Sequence, residues 1–324
     1  MKIDMVYLWV DGDDEKWLAK KNAELKKIGK ELSVGDVGRH RFNDNDELLF
    51  SLRSVEKFAP WVNHIFIVTD NQIPKWLNTN NPKITVVDHT EIMPAEALPC
   101  FNPVIIEFFI PNIEKLSEHF IYANDDMLFT AKTNPNYFFT KKGLPIVRTS
   151  KTLLGKKLFN ADKIEDFMKN HPYCIQGKNS RKLVYDIVGD YNYRFECAHN
   201  IDAYRKSDML NLLNIPLVAE RFGKAIKNRF RNESDLLRVF FHLYGVAKHE
   251  YKLVERDFWT QLFQFMTFRF RDQPLYTDNI RKWKSRNIFF RKLTCIQECS
   301  DFKHTKSNHD YLMKFLPKKS EYEK

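Results

Sequence analysis

Asp125 and Asp126 are the residues whose type and spacing point most directly to chemistry. They interrupt the run Phe120–Phe129, FIYANDDMLF, in which apolar and aromatic residues stop at Asn124. Such a run reads as a buried strand with polar residues at one end. Adjacent carboxylates repel one another and cost desolvation, so a fold that sets them there ordinarily supplies a cation. A solvated Asp-Asp turn capping the next segment is the plainer alternative. The pattern recurs along the chain: residues 3–10 end at Asp11, His64–Thr69 at Asp70, and Lys83–Val87 at Asp88. Carboxyl ends of strands are where open α/β sheets keep their ligands. Asp11 could equally cap the helix that follows. Arg41 and Arg53 fall close to the acidic edge and could pair with it or with a phosphate, or form exposed ion pairs.

The elements that must position these groups are legible as patterns. After Gly12, which allows a tight turn, an Asp ahead of Glu15 is an N-cap for a helix running towards Gly29. Leu48, Leu49, Leu52, Val55 and Phe58 recur at helical spacing, predicting a helix over Asp46–Phe58 with Asn45 or Asp44 as cap and Pro60 as its end. A turn at Leu98–Pro103 leads into a second apolar helix, Val104–Leu116. Glu107 lies on its apolar face, where a carboxylate is costly unless paired, so a buried arginine partner is expected. Strands alternating with helices give an α/β class for a core over residues 1–150. From about residue 150 basic, aromatic and helical segments take over, clearest at 205–214, 233–248 and 255–270. This second half, 151–324, is expected to pack on the sheet as part of one compact unit.

Composition narrows the classes. The chain has 324 residues, 43% hydrophobic and 14% aromatic, which supports a substantial core and argues against disorder. No basic leader precedes a long apolar core and no run is long enough to span a bilayer, so neither a signal peptide nor a spanning helix is expected. Five scattered cysteines argue against a disulfide framework and fit a reducing cytoplasm. A formal charge of +10 calls for a polyanionic partner: nucleic acid, an anionic membrane face or a phosphorylated substrate.

The second half holds further candidates. His199 lies in a turn before a helix, where a lone histidine is commonly structural. Arg231 and Asp235 read first as an ion pair at a helix start, with Asn232 or Ser234 as cap. Cys295, Cys299, His304 and His309 could ligate zinc, but their spacing fits no common finger. The run over 265–293 interleaves Arg and Lys with Phe and Trp. It could contact nucleic acid, although cations snorkelling round a packed aromatic face are commoner.

Four blocks in order give the chain a close resemblance to the Stealth family, bacterial sugar-1-phosphate transferases of capsule and exopolysaccharide synthesis. The catalytic part of the animal lysosomal-enzyme N-acetylglucosamine-1-phosphotransferase belongs to the same family. The blocks are IDMVYLWVDGDD at 3–14; RFNDNDELLFSLRSVEKFAPWVNHIFIVTDNQIPKWL through LSEHFIYANDDMLF at 41–129; the segments around His199 and FRNESD; and KLTCIQE with the ending FLPKKSEYE. Leu8 stands where a threonine is usual, and Gln297-Glu298 where Asn-Asp is usual.

The resemblance implies a Rossmann-like sheet of glycosyltransferase A type with a mainly helical second half. It implies attack by a glycan hydroxyl on the β-phosphate of a nucleotide-diphosphate sugar. Asp125 and Asp126 would then hold Mg2+ or Mn2+, with Asp11 against the nucleotide-sugar or its metal, and Asn45, Asp44, Arg41 and Arg53 lining the same edge. His199 would be the base, Arg231 the phosphate clamp, and Asp235 would orient one of them. The acceptor would be a glycan or lipid-linked oligosaccharide, which adds peripheral contact with the inner membrane face to a cytoplasmic enzyme. A metal-dependent glycosyltransferase releasing the nucleoside diphosphate is the second reading. A basic nucleic-acid binder is the third, opposed by the strand-end carboxylates, which would repel a phosphate backbone.

Overall fold

Strands flanked by helices on both faces must be apolar on both sides, and the first strand shows why this sequence builds such a sheet. Met5 and Tyr7 face one apolar cluster while Val6 and Leu8 face another. The computed structural model describes residues 1–28, 42, 44–149, 172–189, 197, 201–254, 275–277, 292–296 and 305–324. In chain order these give β1 (Ile3–Leu8), α1 (Glu15–Ile28), α2 (Glu47–Phe58), β2 (Ile65–Thr69), β3 (Ile84–Asp88), the short α3 (His89–Ile92), α4 (Pro103–Phe109), β4 (His119–Asn124) and β5 (Met127–Phe129). There follow β6 (Ile146–Arg148), α5 (Pro172–Val188), β7 (Asp202–Arg205), α6 (Lys206–Leu213), α7 (Pro216–Ala225), α8 (Val239–Ala247), β8 (Lys252–Val254), β9 (Leu275–Thr277), β10 (Leu293–Ile296) and α9 (Thr305–Phe315).

The main sheet has the order β3-β2-β1-β4-β7, with β1 to β4 parallel and β7 antiparallel to β4. The α/β class with a mostly parallel sheet is therefore as expected. Because β2 and β3 lie on one side of β1 and β4 on the other, the order in which strands are added to the sheet reverses between β1 and β4. Ligand crevices in such sheets open at that switch point, beyond the carboxyl ends of the strands. A second sheet, β5-β10-β9, leaves the first at the Asp125-Asp126 turn, where β5 pairs with β10 in antiparallel register.

Several element boundaries differ from the sequence reading. The helix after Asn102 stops at Phe109, with a single 3-10 turn at Ile110–Asn112, because Pro111 cannot donate in a continuing α-helix. Residues 202–205 form strand β7, ahead of a helix that starts only at Lys206. The helix sought at 233–248 begins at Val239, since Asp235 holds the preceding residues in a loop. The segment 255–270 lies outside the described residues. Among the described residues no helix is long and apolar enough to cross a membrane.

Candidate active site

The loop after β1 is held in place by backbone contacts. Asp14, not Asp11, caps α1, its Oδ1 accepting from Trp17 N at 2.8 Å. A Cβ on Gly12 would lie 2.1 Å from the Phe42 carbonyl, to which Gly12 N donates at 2.7 Å, so glycine is required for this loop to meet the one before α2. Gln72 clamps Asp11 on both sides: Asp11 N donates to Gln72 Oε1 at 3.0 Å and Gln72 Nε2 to Asp11 O at 2.9 Å. The Asp11 carboxylate accepts from Asp13 N and faces the loop at 44–47.

That second loop is unusually acidic. Asp46 occupies the cap position of α2 with φ 64°, a conformation Asp tolerates, and makes no side-chain cap bond; Asp44 Oδ1 instead accepts from Asp46 N at 3.1 Å. The expected cap by Asn45 or Asp44 is thus replaced by a turn among the acids. Asn45 spends both its backbone and side-chain N–H groups on Glu47.

The carboxylate pair sits at the end of β4, on the other side of the switch point. Leu8 of β1 is level with Asn124, so the Asp11 loop and the Asp125-Asp126 turn leave the sheet side by side. The buried face of α2 fixes the turn from below. Ser51 Oγ donates to Met127 O, Tyr7 Oη bonds Ser51 Oγ at 2.7 Å, and Phe129 N donates to Ser54 Oγ at 3.0 Å. From the second sheet, the Cys295 thiol donates to Asp126 Oδ2 at 3.1 Å. Burial and then Asp126 push the thiol's pKa well up.

Electrostatics join the two loops. The Asp125 pKa is raised far above the carboxylate range, first by burial, then by Asp126, Glu47 and Asp44. Burial also lifts Asp44 to about 6, with Asp46 and Asp11 adding to it. Glu47, nearly enclosed, rises to about 8 by burial, with Asp44 opposing its charge as well. A cation would relieve this repulsion, and the hard oxygens suit Mg2+ or Mn2+. Among the described residues no three His, Cys, Asp or Glu side chains converge as a complete metal cage. Magnesium typically takes one or two carboxylates and completes its shell with water and substrate phosphates, so a two-carboxylate turn still fits.

Other expected site residues fall elsewhere. Arg53 does not line the acidic edge. It is 7% exposed and forks onto Glu323, Nε to Oε1 at 2.8 Å and Nη2 to Oε2 at 2.7 Å, while Nη1 donates to Leu316 O at 2.8 Å. Asp70 pairs with Lys20, and Asp88 forms the capping box of α3 with Glu91, so neither belongs to the acid cluster. Arg41 and His199 lie outside the described residues, as do Cys299 and His304. His309 Nε2 faces Asp46 Oδ2 at 3.3 Å, while Cys295 bonds Asp126. An open cleft of 490 Å³, lined by Lys2, His119, Lys141 and Lys142 among others, lies at the amino ends of β1 and β4, opposite this edge.

Arg231 and Asp235 come from the second half, on the loop between α7 and α8. Asp235 is fully buried and organises that loop, accepting from Asn102 Nδ2 at 2.8 Å, Asn228 Nδ2 at 2.7 Å and Asn232 N at 2.8 Å. Burial raises its pKa against these bonds. Since Asn102 also caps α4, Asp235 ties the loop to the first half. The half-buried Arg231 lies within electrostatic reach of Asp235 and of Glu107. Glu47 and Cys295 were missed as members of the site. Glu47 was hidden as an ordinary acidic first-turn residue, and Cys295 by a β5–β10 pairing that no local pattern announces.

Residues 1–29 match Stealth protein CR1, conserved region 1, and residues 41–147 match Stealth protein CR2, conserved region 2. The capsular polysaccharide phosphotransferase fcs1 of Haemophilus influenzae is 36% identical over 246 residues, 75% of this chain and 65% of that protein. The chain thus spans just under two thirds of the Haemophilus protein. The exopolysaccharide phosphotransferase cps2G of Lactiplantibacillus plantarum is 35% identical over 255 residues, 72% of each. Among solved structures, galactosyltransferase LgtC aligns at 10% identity with a TM-score of 0.42, over 97% of this chain and 95% of its own.

Proposed function

The chain belongs to the Stealth family, and from that premise we propose that it moves a sugar-1-phosphate from a nucleotide-diphosphate sugar to a glycan hydroxyl. The products are a phosphodiester in a capsular or extracellular polysaccharide and a nucleoside monophosphate. The observation that carries the reading is the convergence of Asp11, Asp44 and the Asp125-Asp126 turn at the switch point of the sheet. Phosphoryl transfer depends on positioning and charge neutralisation, which this edge can supply.

Asp125 and Asp126 are the residues that would hold a divalent cation, which neutralises charge on the phosphoryl oxygens when bound. Asp11 and Asn45 would orient the donor from the neighbouring loops. Arg231 would clamp the transferring phosphate, with Asp235 keeping its loop in place. His199 would take the acceptor proton, an imidazole being suited to that near neutral pH. A lipid-linked acceptor would bring the protein to the membrane surface through basic, aromatic stretches.

A donor labelled at the β-phosphorus tests the reaction. The label should enter a phosphatase-resistant phosphodiester, with nucleoside monophosphate released and the anomeric configuration kept, because the carbon–oxygen bond stays whole. Label remaining on a released nucleoside diphosphate would instead establish a glycosyltransferase.

A further inference from the structure

Glu107 is 5% exposed within the apolar helix α4, and the reaction proposed above makes no use of it. Its Oε1 accepts from Arg238 Nη1 at 2.8 Å and from Tyr122 Oη at 3.0 Å. Arg238 also donates to Asp202 Oδ2 at 3.1 Å, and its guanidinium lies 4.8 Å over the Tyr122 ring. Tyr122 Oη is in turn 3.1 Å from Asn124 Oδ1, which accepts from it. A phenol has one proton. That proton lies between two acceptors, the Glu107 carboxylate and Asn124 Oδ1, so the phenol joins them. A chain of hydrogen bonds therefore runs from Arg238 through Glu107 and Tyr122 to the residue that precedes Asp125.

The other end of the chain reaches Arg231. Arg238 starts α8 directly after the loop that bears Arg231, and Arg231 itself lies within electrostatic reach of Glu107. A buried carboxylate here is a poor choice for stability alone, since well-packed apolar groups commonly do as well as a buried ion pair. It does link two parts of the site that come from opposite halves of the chain.

We propose that Glu107 is a positioning residue. Through Arg238 it holds the segment carrying Arg231, and through Tyr122 and Asn124 it holds the Asp125-Asp126 turn. It thereby sets the separation of phosphate clamp and carboxylate pair without touching substrate. The roles given to Arg231 and Asp126 rest on the phosphotransferase reading; the network does not.

Glu107→Gln keeps the volume and an acceptor for Tyr122 but removes the charge facing the arginines. Turnover should fall about 10²-fold, the scale of a small misplacement of reacting groups, while the donor KM changes less than about threefold. Tyr122→Phe, which spares the Glu107–Arg238 pair, should give a smaller loss of the same kind. The double variant should be no worse than Glu107→Gln, because both changes cut one chain. Wild-type turnover in both, or a loss confined to KM, overturns the proposal; if Glu107→Gln does not fold, Tyr122→Phe decides alone. The Asn124 side-chain amide signals in NMR read the network without turnover, and should shift in either variant; unmoved signals overturn it too. Release of nucleoside diphosphate by the wild type sinks the phosphotransferase reading, yet leaves these comparisons standing.

Discussion

At the scale of single residues the site is a concentration of acids that the fold alone does not favour. Asp44 is lifted to about 6 from 3.8 and Glu47 to about 8 from 4.5, both chiefly by burial. For an acid whose folded pKa is raised, the stabilising difference is fully present below the unfolded value and is lost as pH rises through the folded one. Stability of the metal-free protein should therefore decline as pH goes from about 4 to about 8 across these two groups, lowering the melting temperature by about 5 °C or more. Millimolar Mg2+ or Mn2+ should flatten that decline; melting curves that ignore both pH and metal would sink the idea of a cation-seeking cluster. Asp126→Asn follows from the same repulsion. It should raise the melting temperature without metal, because one charge leaves the cluster, and cut turnover by about 10²-fold or more. A variant that is less stable and still fully active would place Asp126 in a purely structural role. Asp125 and Asp126 were legible because an apolar run ended in them. Glu47 was not, since a glutamate in the first turn of a helix looks ordinary wherever the helix points.

At the scale of elements, α2 shows what sequence spacing can and cannot reveal. Its apolar periodicity located it correctly, and Pro60 ended it, but the same face carries Arg53, whose partner Glu323 lies at the far end of the chain. No local pattern announces such a pairing, so in the sequence an arginine near an acidic edge reads as a substrate contact. The pair instead fastens the chain terminus to α2, with Tyr322 buried beside it and Leu312 and Leu316 of the C-terminal segment packed against Phe50. Glu323→Ala should destabilise the protein by about 3–5 kcal/mol by leaving a buried guanidinium uncompensated. Arg53→Met with Glu323→Leu should cost clearly less, and turnover per folded molecule should stay near wild type in both. A selective loss of donor binding in the double variant would return Arg53 to the substrate site. Glu107 makes the contrast: a carboxylate inside VIIEFFI demands a partner wherever the chain finds one, and the arginine expected there is Arg238.

At the scale of the whole molecule the two halves share sheets. Strand β7 lies beside β4 at the edge of the main sheet, and β10 pairs with β5 directly after the Asp125-Asp126 turn. Asp235 reaches Asn102, and Arg238 reaches Glu107, so polar contacts cross the same boundary. A composition shift near residue 150 was visible in the sequence, but a four-residue strand such as β7, flanked by polar residues, gives too short a period to stand out. This interleaving predicts that residues 1–150 are not an independent folding unit. Without β7 the β4 edge is left unpaired, and an open apolar strand edge templates association with other chains. The fragment should therefore appear in inclusion bodies or as soluble aggregates, whereas the full chain unfolds in a single calorimetric transition. Two resolved transitions, or a monomeric fragment with native-like amide protection across β1 to β4, would show that the second half only docks on a finished core. In that case the alignment of Arg231 with the Asp125-Asp126 turn would be set by docking, and an inter-half link such as Glu107–Arg238 would modulate activity rather than stability. If the single transition holds, the same link contributes to both, since the loop bearing Arg231 cannot part from the Asp125-Asp126 turn without opening the sheet between them.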